Sequence, residues 1–446
     1  MSFPRYPKYK DSGVEWLGQV PEHWEVKRLR FVAELNPSKS EVAHLGREIS
    51  VSFLPMEAIG DDGTFCLDKE KTIGELENGY TYFRDGDVAV AKITPCYENG
   101  KGALMRGLTN GIGFGTTELI VARPKAEEIT GSYLHYLFIS PDFRSIGASH
   151  MYGAGGQKRV PDDFVRNFPT AFPPLKEQTA IAAFLDRETA KIDELVAEQQ
   201  RLMDLLKEKR QAVISHAVTK GLNPNAAMKA SGIEWLGDVP AHWRVAPVAY
   251  RYSVQLGKML DSNKITGEHL RPYLRVFDVQ WGEINTNELP QMDFDDEARE
   301  KFRLLPGDLL VNEGGSPGRA AIWPGEIEEC YYQKALHRMR PLHPEEDTTR
   351  FIYYVMCWAT NQGVFTAGGN EATIEHLPAE KLRRYRFPFP PINEQIAITD
   401  FLDTKLTKCD TLTAEAQHAI DLLQERRTAL ISAAVTGQID VRKETP

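Results

Sequence analysis

The sequence lacks several features that would have assigned it quickly. Its five cysteines, Cys66, Cys96, Cys330, Cys357 and Cys409, lie scattered through 446 residues without a C-x-x-C pair. That excludes a disulfide or zinc framework and points to reduced cytosolic thiols. The longest apolar run, around Phe351 to Trp358, falls far short of the about 20 residues needed to cross a bilayer, so no membrane association is expected. The opening MSFPRYPKYKDS carries charges but no apolar core, so no signal peptide is expected. No Walker A, H-E-x-x-H or G-x-S-x-G pattern occurs, and no catalytic constellation or metal cluster emerges. Gly111, Gly113 and Gly115 spell GIGFG, but a Gly/Asn turn precedes them and the strand-like TTELIV follows. A β-hairpin is the expectation there, because a dinucleotide or adenosylmethionine loop needs a strand before it and a helix after. Excess positive charge is missing too. The formal net charge is −10, and the basic stretches (Lys158-Arg159, Lys334 to Arg340, Lys381 to Arg386) are local. A chain of this balance suits DNA contact over part of its surface and protein contact elsewhere.

What is present is a repeat. FPPLKEQTAIAAFLDRETAKIDELVAEQQRLMDLLKEKRQAVISHAVT runs to Thr219, and FPPINEQIAITDFLDTKLTKCDTLTAEAQHAIDLLQERRTALISAAVT runs to Thr436. Phe184-Leu185-Asp186 pairs with Phe401-Leu402-Asp403, and Ile214-Ser215 with Ile431-Ser432, each 217 positions apart. Two prolines halt what precedes, and the following stretch, free of Gly and Pro, is rich in good helix formers. Leu185, Ile192, Leu195, Leu202, Leu206 and Val213 predict one apolar seam. Leu402, Cys409, Leu412, Ala416, Ala419, Leu423 and Leu430 predict the other, at near-heptad spacing. Glu188, Gln199, Lys209 and His216 interrupt the first seam. A helix of about 40 residues is a rod of about 60 Å, and two such rods can pair antiparallel about a pseudo-two-fold axis.

The openings repeat as well: DSGVEWLGQVPEHWEV from Asp11 and ASGIEWLGDVPAHWRV from Ala230. Trp16, Trp24, Trp235 and Trp243 read as packing, and His23 and His242 as locally hydrogen-bonded rather than metal-ligating. Both the linker after the first rod and the tail after the second start AVT, and Tyr9 to Ser12 resemble the far end of that linker, so the halves look equivalent around a ring. The bodies between, Lys27 to Thr170 and Ala246 to Arg386, differ far more. They mix short β-rich runs with Gly, Asn, Asp and Pro turns and one aromatic helical stretch each, Gly131 to Phe143 and Thr348 to Thr360. That composition predicts α+β bodies with mostly antiparallel sheets. Faint markers align: Asp85-Gly86-Asp87 with Pro306-Gly307-Asp308, and Gly155-Gly156-Gln157 with Gly368-Gly369-Asn370. Candidate DNA contacts come from loop chemistry: Lys92, Thr94, Lys101, Gln157, Lys158 and Arg159 in the first body, and Asn312, Ser316, Arg319, Lys334, Arg338 and Asn370 in the second. Amides pair with adenine, and Arg or Lys with guanine or phosphate.

With the doubled EWLG…P…HW openings, doubled F-P-P-x-x-E-Q helices and two unlike bodies, the chain resembles the specificity subunit of a type I restriction–modification system. The resemblance implies an α+β protein in which two globular target-recognition domains are separated by two long antiparallel coiled-coil helices, with circular pseudo-two-fold organisation. It places the first recognition domain in residues 1–172, the first spacer in 173–220, the second domain in 221–388, and the second spacer with its tail in 389–446. It implies a non-catalytic, cytoplasmic, prokaryotic subunit that binds double-stranded DNA and docks two methyltransferase subunits, which carry S-adenosylmethionine. A motor-nuclease (restriction/translocase) subunit can join them. Two other classes stay open at this point. A self-sufficient DNA methyltransferase would bind adenosylmethionine alone, and a coiled-coil scaffold would fail to shift DNA.

Overall fold

The computed structural model describes residues 3–154, 156–259, 267–366 and 376–442. The chain forms two compact units, Met1–Gln200 with Gln417–Pro446, and Arg201–Ala416.

In the first unit the opening hairpin pairs Tyr9–Asp11 with Gln19–Pro21, and Glu25–Arg28 then pairs antiparallel with Pro169–Phe172. The body is thus tied off where it leaves and re-enters the frame. Within it, Ala33–Leu35, Leu119–Pro124, Val88–Ala91 and Gly102–Leu104 make a four-stranded antiparallel sheet. A second sheet orders Glu70–Thr72, Ser50–Leu54, Ile112–Gly115 and Thr81–Arg84, with one parallel pair. The second unit repeats this plan. Arg244–Pro247 pairs with Arg386–Phe389. Tyr252–Leu256, Leu336–Pro341, Leu309–Asn312 and Ala320–Ile322 form its antiparallel sheet, and Leu270–Leu274 pairs with Gln291–Asp293 and, in parallel, with Tyr331–Tyr332.

Two expectations need correcting here. GIGFG is not half of a hairpin with TTELIV. Ile112–Gly115 belongs to the other sheet, between Ser50–Leu54 and Thr81–Arg84. Gly113 is required because a Cβ there would lie 2.2 Å from the Phe83 ring. The aromatic stretch from Gly131 is also two helices, Gly131–Ile139 and Pro141–Ser149, since Ser140 in an extended conformation caps the second ahead of Pro141.

The Asp-Gly-Asp and Pro-Gly-Asp markers acquire a physical meaning. Asp87 is buried and accepts Arg123 through two 2.8 Å bonds, while also accepting the Arg84 N–H. Asp308 does the same with Arg340 and the Leu305 N–H. Each turn is therefore pinned to the strand beside it by a paired, hydrogen-bonded charge, the only form in which a buried carboxylate is tolerable. Arg340 is thereby removed from the basic stretch that included it.

The long helices are Leu175–Lys220 and Ile392–Val435. In the first unit the start of one and the end of the other share a core (Ile181, Leu185, Leu430, Ile431, Ala434), and Arg427 reaches Asp193 at 3.3 Å. In the second unit Ile214, Ala217 and Val218 share a core with Ile398, Leu402 and Leu406, and Arg210 pairs with Asp410. Chain directions are opposite in both, so the pairing is antiparallel. Leu185, Ile192, Leu206, Leu402 and Leu430 are buried as the spacing predicts, and Leu423 is half-buried. Leu195 and Leu202 are 44% and 40% exposed, and Leu412 is exposed as well. The covered positions are Ile192, Val196, Gln199, Met203, Leu206, Arg210 and Val213 on the first helix, and Leu402, Leu406, Cys409, Thr413, Ala416, Ile420, Leu423, Arg427 and Leu430 on the second. The heptad rhythm is present but lies one residue from three of the leucines. Gln199 lies within the seam rather than breaking it.

The Glu-Gln pair opening each helix is the joint between helix, hairpin and body. Glu177 is 7% exposed and accepts Tyr6 Oη (2.6 Å), Trp24 Nε1 (2.9 Å) and His23 Nε2 (2.8 Å). The partner of His23 is thus 154 residues away, not local. Gln178 accepts the Thr130 N–H at the aromatic helix and donates to Glu128 and Pro173 carbonyls. Gln395 repeats this with the Thr348 N–H and the Glu346 and Pro390 carbonyls. The terminal segments also meet: Asp440 N–H donates to the Pro4 carbonyl and Tyr9 Oη to that of Gly437, the contact that circular organisation requires.

Candidate nucleic-acid interface

In each body part of the candidate set gathers beyond one end of the antiparallel sheet. In the first, Val88–Ala91 runs into a loop from Lys92 to Lys101 that returns as Gly102–Leu104. The incoming segment to Val160 is stitched alongside it. Thr94 N–H donates to the Lys158 carbonyl and Val160 N–H to that of Lys92, each at 2.9 Å. Lys92, Thr94, Lys158 and Arg159 are thereby neighbours, while Lys101, at the other end of the loop, donates to the Met56 carbonyl at 3.2 Å.

Their electrostatics differ. Arg159 is held by Glu118 through two 2.8 Å bonds, and this contact keeps the Glu118 carboxyl below its ordinary range. Lys92 lies 3.9 Å from Asp162. Gln157 and Lys158 are exposed at the loop tip, next to the exposed ring of Tyr152, whose backbone pairs with Arg159. An exposed cation, an amide and an aromatic ring on one short loop can meet phosphate, base edge and sugar respectively.

In the second body the equivalent loop follows Leu309–Asn312 and returns at Ala320. Arg319 donates to Gln280 Oε1 at 2.7 Å and to Ser316 Oγ at 2.8 Å, so both sit on the rim. Lys334 is exposed at the turn into Leu336–Pro341. Asn312 is 2% exposed and donates to the Val276 carbonyl at 3.2 Å, tying the loop to the neighbouring turn instead of facing outward. Arg338 lies further along the strand and donates to the Lys301 and Arg303 carbonyls, so it braces the sheet. Asn370 lies outside the described residues. In the basic stretch from Lys381 to Arg386, Lys381, Arg383 and Arg386 donate to the Phe365, Val254 and Val245 carbonyls, while Arg384 is exposed.

The turn Val276–Asp278 escapes the sequence reading. In PYLRVFDV, Phe277 falls on the alternation of a buried strand, yet Leu270–Leu274 ends before it and the ring is 60% exposed. Gln280 was missed for the same reason. The one available signal was the Asp278 that closes the turn onto Arg275 through two 2.8 Å bonds. Among the described residues no cluster of His, Cys, Asp and Glu could hold a metal ion, and no helix is long and apolar enough to cross a membrane.

Residues 281–421 match the domain described as "Type I restriction modification DNA specificity domain". The EcoEI specificity subunit of Escherichia coli is 45% identical over 200 residues, 45% of this chain and 33% of that protein. The chain thus aligns with about a third of the length of that relative. The MjaX specificity subunit of Methanocaldococcus jannaschii, described as putative, is 22% identical over 96% of both chains. A chain in a solved structure of a type I restriction–modification system superposes with a TM-score of 0.72 at 18% identity, over 93% of this chain and 98% of its own, and so shares the fold. Residues 281–421 therefore resemble a type I restriction modification DNA specificity domain, and the chain as a whole is similar in sequence and fold to type I restriction enzyme specificity subunits.

Proposed function

We propose that this chain is the DNA-recognition subunit of a type I restriction–modification complex and is not itself a catalyst. Each body reads one part of a bipartite duplex target, and the paired helices set the unread gap and dock two methyltransferase subunits in the prokaryotic cytoplasm. Adenosylmethionine is held by those partners, and a restriction/translocase subunit can join the same assembly. The observation that carries this reading is the contrast within the repeat. Glu177 with Glu394, Gln178 with Gln395, and the Asp–Arg pairs are duplicated, while the loop rims beyond the sheets carry different side chains. A duplicated mount with dissimilar tips is what two separate base readers require.

The test is to map methylated bases in a host carrying this chain with its methyltransferase subunits, before and after residues 246–386 are exchanged for those of a relative. One half of the methylated sequence should change and the other should stay. Change in both halves, or no sequence preference in the parent complex, overturns the reading. Inserting one heptad into both helices should widen the gap by about 10 Å, or about 3 base pairs.

A further inference from the structure

Each body places the same turn after its parallel-paired strand. In the first, Met56–Ala58 follows Ser50–Leu54 and Ile59 bridges back to Phe65. In the second, Val276–Asp278 follows Leu270–Leu274 and Val279 bridges back to Ile284. The backbone frame is shared, and the side chain offered at the middle of the turn is not. Glu57 stands there in the first body, 3.7 Å from Lys69, and Phe277 in the second.

An exposed phenylalanine is by itself ordinary. This one is mounted. The Arg275 guanidinium carbon lies 4.1 Å from the ring centroid. That guanidinium is fixed by two 2.8 Å bonds to Asp278, which is buried and accepts the Arg275 N–H at 2.7 Å as well. Gln280 Nε2 donates to the Phe277 carbonyl at 2.8 Å, and Gln280 Oε1 accepts from Arg319, so the turn and the loop carrying Ser316 form one rim. The result is a rigid apolar surface set among polar groups placed to meet base edges. A bare ring can wedge between base pairs. A ring with a guanidinium on its face is two layers thick, which suits a groove about 12 Å wide better than a base step.

We infer that Phe277 reads the C5-methyl group of a thymine in the major groove, within the half of the target taken by the second body. This rests on the DNA-recognition reading above. Thymine offers the one apolar group on any base edge of that groove, and a fixed phenyl ring is its natural contact. Glu57 at the equivalent turn has the opposite chemistry, an acceptor, so the first body uses this position for a different base.

The experiment uses the complete chain with its methyltransferase subunits. Once the target is mapped, each thymine in the second body's half is replaced in turn by deoxyuridine, which removes only the methyl group, and binding of each duplex is measured. At one position the parent complex should lose about fourfold in affinity, the worth of one buried methyl group. Phe277→Ala should bind thymine and uracil equally there, and its methylated sequences should relax at that base pair alone. Phe277→Leu, which keeps an apolar surface, should retain a preference. A half-site without an A·T pair, thymine and uracil bound alike throughout it, or an unchanged sequence for Phe277→Ala overturns the assignment while DNA recognition stands. A parent complex without sequence preference overturns recognition itself, and this inference with it.

Discussion

Glu177 and Glu394 occupy the same position in the repeat and carry different loads. Glu177 gathers Tyr6, His23 and Trp24 from the hairpin and the segment ahead of it, and burial together with that contact raises the Tyr6 hydroxyl far above its ordinary pKa. Glu394 accepts His242, while the indole Nε1 of Trp243 is buried without a hydrogen-bond partner. Gly221 packs against Trp243 as Gly437 packs against Trp24, and Gly221 also borders Glu394. The duplicated joint therefore keeps its geometry while its bonding differs. The helix start, the hairpin and the body meet in the same way in both units, and the number of bonds holding them is free to drift.

The widest separation between the units should come from removing the two carboxylates. Glu177→Ala strands a buried phenol and a buried indole and should cost the first unit about 3–5 kcal/mol. Glu394→Ala loses one contact to a half-exposed histidine and should cost the second about 1 kcal/mol. Urea denaturation followed by tryptophan fluorescence separates these outcomes, and equal losses would break the asymmetry. The helices should instead behave alike. Ile192→Ala in the first unit and Leu206→Ala in the second should each cost about 2–3 kcal/mol. Leu195→Ala and Leu202→Ala, on exposed positions, should each change stability by about 0.5 kcal/mol or less.

The smallest effect is local acid sensitivity at Glu329 in the second body. Glu329 is partly desolvated, which pushes its carboxyl up, but Tyr331, Arg299 and Arg271 hydrogen-bond it and together hold it down at about 2. A carboxyl depressed in the folded state stabilises fully above its unfolded value of about 4, and that contribution fades as pH falls toward 2. Amide protection around Tyr331–Tyr332, taken relative to intrinsic exchange at each pH, should therefore fall below about pH 4 in the parent and show no such pH step in Glu329→Gln.

Much of this was legible in the sequence because the repeat compares the chain with itself. The helices, the tryptophan-bearing openings, the ring-like closure and the α+β bodies all follow from it. The phase of the helical seam did not. Leu195, Leu202 and Leu412 lie one position from the covered rows, and hydrophobicity alone favours leucine over the Val196, Met203 and Thr413 that occupy them. The Glu-Gln pair was conspicuous but mute, since its partners lie as far away as Tyr6 and Thr348. Asn312 and Arg338 have the right chemistry for DNA and the wrong orientation, because amides and guanidinium groups also serve buried carbonyls. Phe277 gave no sign of its exposure, since it sits in the β-rich run PYLRVFDV and the turn that carries it outward is closed by the Asp278–Arg275 contact.

One joint has a consequence for how such a protein diversifies. Gln178 meets its body through a threonine-capped helix start and backbone carbonyls, and Gln395 does so with one further bond, to the buried Asp347 carboxylate at 3.0 Å. A foreign lobe would need to supply little beyond that socket to be seated at the correct angle. Exchange of a whole lobe can then leave both long helices and both Glu-Gln joints unaltered.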